Sequence, residues 1–143
     1  MSTVKAIDIA DGLVAAIGAA DLGQPFTVER RWTGPLAREV VDKPLVLVVP
    51  VARDTEPAAR GDWQTDWRIV LAVYAPVSGV PSRVAIDALV ELQETVQEIV
   101  RGNEVIADAR LVGIEVENLL DSEAVSGRGL FGSTAVLTYR TIA

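Results

Sequence analysis

Apolar positions along this chain follow two rhythms. Between residues 3 and 20, Ala6, Ile7, Ala10, Leu13, Val14 and Ile17 recur at steps of three and four, which predicts an amphipathic helix. Thr3 is placed to cap its start, and Asp8 sits where the helix dipole favours an acid. Gly12 and Gly18 each weaken a helix by about 1 kcal/mol relative to Ala, unless packing requires them. Residues 83–101 carry a clearer helical pattern. Ala85, Ala88, Leu89, Leu92, Val96 and Ile99 form the apolar stripe, while Asp87, Glu91, Glu94, Gln97, Glu98 and Arg101 fall mostly opposite. Ser82 is its expected N-cap, and Gly102-Asn103 its stop.

The second rhythm is that of strands. Residues 26–32 form a short, weakly amphipathic strand suited to a sheet edge or a subunit contact. Residues 45–52 are apolar on both faces. Residues 66–74 place Trp67, Ile69, Leu71 and Val73 on one face and Asp66, Arg68, Val70, Ala72 and Tyr74 on the other. This pair is expected at the sheet centre, covered by helices on at least one side. Residues 109–117 and 130–142 supply two more strands, and a helical turn is expected at 36–41 and another at 122–125. The order α, β, β, β, α, β, β implies one α+β domain over residues 1–143. Its expected form is a mostly antiparallel sheet with two main helices on one face and a long projecting hairpin loop.

That loop, residues 53–65, is the anomaly of the pattern. Tight hairpins connect through about two to five residues. Here RDTEPAARGDWQT separates two strong strands, charged and with too little apolar surface to fold alone. A long loop in a compact domain usually has a job, and contact with a neighbouring subunit is the expected one. Arg53, Asp54, Glu56, Arg60, Asp62 and Trp63 are its candidate contact residues. Glu29, Arg30, Arg31 and Trp32 form a second candidate, since Arg and Trp are enriched at interface hot spots. A cation–π contact within one fold is the alternative for these residues, and Trp67 is expected in the core.

Composition narrows the chemistry. The 143 residues include no histidine and no cysteine, which excludes a Ser-His-Asp triad, thiolate catalysis, disulfides and His or Cys zinc sites. The net charge of −7 disfavours generic nucleic-acid binding and anionic membranes. It remains compatible with a wall past which DNA slides, where like charge reduces sticking. No apolar run approaches the ~20 residues of a membrane span, and the N-terminus does not resemble a signal peptide, so a reducing cytoplasm is the expected compartment. Asp87, Glu91, Glu94 and Glu98 share a helix face that is better read as solvated or lumen-lining than as a metal site. Arg60-Gly61-Asp62 matches an adhesion tripeptide that also occurs at random, and Gly61 is more simply a turn residue. The glycine-rich residues 126–132 lack the Gly-Lys-Ser/Thr ending of a P-loop. No catalytic residue, cofactor or metal is expected.

The sequence of segments QPFTVERRW, KPLVLVVPVARD, RGDWQTDWRIVLAVY, IDALVELQETVQEIV and STAVLTYRTI resembles the tail terminator or tail-completion proteins of tailed phages. The likeness covers most of the chain and rests on order and texture. It implies a non-enzymatic virion protein, assembled in the host cytoplasm. Its partners would be itself in a homohexameric ring, the tail tube protein and a head-completion or neck protein. DNA would pass through the lumen without specific binding. Six copies would carry about −42 charges per ring. A head-closure or connector protein is the nearest alternative. A small cytoplasmic ligand-binding or carboxylate-using enzyme is an alternative of another class.

Overall fold

A computed structural model describes residues 6–33, 43–76, 83–118 and 130–142. Helix α1 spans Ala6–Gly18 and α2 spans Arg83–Gly102. The strands are β1 (Thr27–Arg30), β2 (Leu45–Pro57), β3 (Trp63–Pro76), β4 (Val105–Ile106), β5 (Ala109–Asn118) and β6 (Leu130–Ile142). The expected caps at Thr3 and Ser82, the turns at 36–41 and 122–125, and most of the glycine-rich segment lie outside the described residues.

The six strands form one sheet in the order β1-β2-β3-β6-β5-β4. All pairings are antiparallel except β1 with β2. The architecture is therefore α+β, with β1 at one edge as its weak amphipathicity suggested. Strand β3 is flanked along its length by β2 and β6, which suits its unbroken apolar run from Ile69 to Val73.

Strand alternation divides the core. Val46, Val48, Ile69, Leu71, Val73, Leu137 and Tyr139 pack against both helices through Ile9, Ala10, Leu13 and Ile17 of α1 and Leu89, Leu92, Val96 and Val100 of α2. The opposite parity, Leu45, Leu47, Val49 and Ala72, forms a second cluster with Val70 and Tyr74 on the other face. Both helix stripes are rotated slightly from their expected registers. In α1, Ile9 is buried while Ile7 is exposed. In α2, Ala88 is exposed, and Gln93, Gln97 and Val100 are buried. Gln93 is tolerated in the seam because its Nε2 donates to the backbone oxygens of Ser133 at 3.0 Å and Leu71 at 3.4 Å. That contact pins α2 to the β3–β6 pair. Gly12 also has a packing reason, since a Cβ there would collide with the Ile106 side chain.

Candidate functional site

The segment expected as a long loop is mostly strand. Pairing of β2 with β3 continues from Leu45↔Tyr74 out to Pro57↔Trp63, interrupted only by a bulge between Pro50 and Ala52. The true connection is Ala58–Asp62, five residues built on a short 3-10 turn at Ala59–Gly61. Arg60 (φ 61°) and Gly61 (φ 80°) take left-handed conformations there, and Ala58 N–H donates to Asp62 O at 2.8 Å. Gly61 is thus a turn residue. The expectation of a loop over 53–65 fails because residues 53–57 are exposed on both faces and Gln64 and Thr65 opposite them are polar and only half-buried, so the apolar alternation that marks a strand is missing.

Cross-strand polar pairs take its place. Asp54 pairs with Arg68 at 2.8 Å. The hydroxyls of Thr55 and Thr65 lie 3.2 Å apart, and Gln64 Nε2 donates to Glu56 Oε1 at 3.0 Å. Arg53 lies over the Trp67 ring at 5.9 Å. Trp67 itself is buried, as expected, and its Nε1 donates to Thr141 Oγ1 at 3.2 Å. Strand β6 backs the arm as far as Gln64↔Ile142. Arg140 there donates to Asp66 at 2.8 and 3.2 Å and holds that carboxyl below the usual carboxylate range. Burial opposes this shift, and Arg68 adds to it. Exposed ion pairs of this kind contribute about 0–1 kcal/mol each. They set the register of the arm more than its stability.

The tip is different. Among the described residues, Arg60 and Asp62 have no side-chain partner, and Trp63 is 54% exposed. The tip therefore presents a cation, a carboxylate and an indole to solvent, beyond the last rung of β6.

The second expected patch is partly satisfied within the chain. Arg30 pairs with Asp11 at 2.7 Å and lies over the Trp32 ring at 5.5 Å. Arg31 pairs with Glu29 at 2.7 Å. The intramolecular cation–π alternative is thus present for Arg30, yet Trp32 remains 61% exposed. The structure brings the two patches together. A recess of about 180 Å³ is lined by Ala6, Trp32, Pro50, Val51, Arg53 and Trp67, beside the β2 bulge. Glu29, Asp54 and Glu56 are held in the pairs already described, while Arg60, Asp62 and Trp63 lie farther out at the tip.

A larger feature had no signal in the sequence. On the face away from the helices, Val51, Arg68, Val70, Gly113, Glu115 and Val136 are among the residues lining a trough of about 660 Å³. They come from four strands and meet because of register, which includes a bulge in β5 between Leu111 and Gly113. The acidic residues Asp87, Glu91, Glu94 and Glu98 of α2 are exposed. Among the described residues, no three acidic side chains converge to hold a metal ion, and no helix is long and apolar enough to cross a membrane. No protein-family model matches this chain, and no curated protein matches it significantly.

Proposed function

We propose that this protein is a structural component of a phage virion, a tail terminator that assembles as a hexameric ring. In this role it caps the tail tube on one face and presents the other to a neck or head-completion protein. Its mechanism is geometric and needs no catalysis. The observation that carries the reading is the division of the β2–β3 hairpin. Its base is buried on both faces, while residues 51–57 of β2 are all exposed. A chain gains little stability from an arm of this kind, and its exposed Arg and Trp residues are those favoured at interfaces. A ring of identical subunits needs two different complementary patches, and an arm with a separate concave surface supplies such a pair. The likeness in segment order to tail terminators gives the specific role, and the net charge of −7 suits a passage for DNA.

Incubation with polymerising tail tube protein tests the role. The expected result is tubes of arrested length with a ring at one end, seen by negative-stain electron microscopy. Tubes that grow unchecked in a molar excess of this protein would overturn it. Rings that bind a portal or connector assembly and leave tubes alone would support the neck alternative.

A further inference from the structure

The trough on the helix-free face and the tip of the hairpin arm are complementary in charge and polarity. The trough has an apolar floor of Val51, Val70 and Val136, with Arg68 and Glu115 as its charged groups. Glu115 is exposed and has no ion-pair partner among the described residues. Arg68 pairs with Asp54 at 2.8 Å, and a guanidinium has five N–H donors, more than one carboxylate takes up. The tip carries the matching set. Arg60 and Asp62 are unpaired, Ala58, Ala59 and Gly61 are small, and Trp63 is exposed beside them.

A chain cannot place this tip in its own trough. Pairing from Ala52↔Arg68 to Pro57↔Trp63 is continuous. At ~3.3 Å per residue, it holds the tip about 17 Å from that row of the sheet. A tip seated in the trough therefore comes from another molecule. We infer that the trough receives the hairpin tip of a second copy of this chain, with Arg60 against Glu115, Asp62 against Arg68, and Trp63 over the valine floor. Tip and trough are different patches of one surface. Their pairing is therefore heterologous and propagates around a ring or along a filament, whereas an isologous contact would stop at a dimer. The inference rests on the ring reading above for its partner, and it names the surface through which that ring closes.

The experiment is sedimentation velocity on the full chain across a concentration series, beside Gly113→Leu, Arg60→Glu, Glu115→Arg and the double reversal. A Cβ at Gly113 meets nothing within 4 Å, so the leucine fills the trough without disturbing the fold, and equal melting temperatures verify this. Arg60→Glu lies at the exposed tip, far from the core, and keeps the test valid should Gly113→Leu misfold. Each single variant is expected to weaken self-association at least about tenfold, and the double reversal to restore it to within about threefold of wild type. Self-association unchanged in every variant overturns the tip-in-trough contact and leaves the ring reading standing. A wild-type protein that remains a single chain at all concentrations overturns both. Charge-sensitive self-association in a protein that fails to arrest tubes supports the contact and overturns the terminator role.

Discussion

The inner and outer halves of the β2–β3 hairpin run through the same two strands and obey opposite rules. In the inner half, Leu45 to Pro50 are buried, with Ile69, Leu71 and Val73 beneath the helices and Leu47 and Val49 on the far side. In the outer half, Val51 to Pro57 are exposed, and polar rungs replace the apolar ones. The switch falls at the bulge between Pro50 and Ala52. Strand β1 pairs with β2 only as far as Val48, and beyond the bulge β2 has no outer neighbour among the described residues. Continuous strand pairing thus carries surface chemistry outward from a rigid base. An arm made this way is already ordered, so the contact proposed for it would cost less conformational entropy than a flexible loop would lose.

The largest expected effect tests the inner half. Leu71 is fully buried between β3 and the helices, so Leu71→Ala should lower unfolding free energy by about 2–5 kcal/mol in a urea titration. Thr55→Ala, sixteen residues earlier on the exposed partner strand, should change it by less than about 0.5 kcal/mol. Comparable losses at the two positions would erase the distinction between the halves.

Next in size is Gln93, which fastens α2 to the inner half. Its truncation to alanine removes two hydrogen bonds to backbone oxygens and opens a cavity, for an expected loss of about 2 kcal/mol. A loss below about 0.5 kcal/mol would show that the amide contributes nothing to helix docking.

The two halves differed in how well they could be read from the sequence. Strand β6 and helix α2 were legible because alternation at Ala135, Leu137 and Tyr139 and helical spacing at Leu89, Leu92 and Val96 report burial directly. The outer rungs were not. Arg53, Asp54, Thr55 and Glu56 are polar on both faces and pair by hydrogen bonds and charge, which leave no periodic trace. Gln93 was missed for the converse reason, since its Nε2 donates to carbonyls that only the fold brings to it, while its Oε1 stays buried without a partner. The trough was hidden because bulges in β2 and β5 decide which residues of four strands meet. The identity of Arg60, Asp62 and Trp63 as exposed groups was visible. The trough that we propose as their complement was not.

Tyr139 sits near the boundary between the halves and should give a smaller effect of opposite sign. Its hydroxyl is buried with no hydrogen-bond partner, and burial raises its pKa above the ordinary phenol range. Tyr139→Phe should therefore be neutral or stabilising by up to about 1 kcal/mol at pH 7. The raised pKa makes this residue's contribution full below the unfolded phenol value of about 10 and lost as pH rises beyond it. The phenylalanine variant should flatten that alkaline limb. A clear destabilisation at pH 7 would show that the hydroxyl has a partner.

The smallest effect belongs to the outer rung of Asp66 and Arg140. Arg140 lowers the Asp66 pKa in the folded state, so the stabilisation is present above the unfolded value of about 4 and fades as pH falls through the folded one. Asp66→Asn should reduce the acid dependence of stability below about pH 4 and change little else, as monitored by melting temperature between pH 2.5 and 7. A large loss at neutral pH would make this rung part of the core.

The division between folding base and contact arm is tested most directly by one sample measured two ways. The triple variant Arg53→Ala, Arg60→Ala, Trp63→Ala should keep its melting temperature within about 2 °C of wild type while native mass spectrometry shows the assembly replaced by single chains. An intact assembly, or a fall in melting temperature as large as that of Leu71→Ala, would contradict the assignment of the outer half as the contact element.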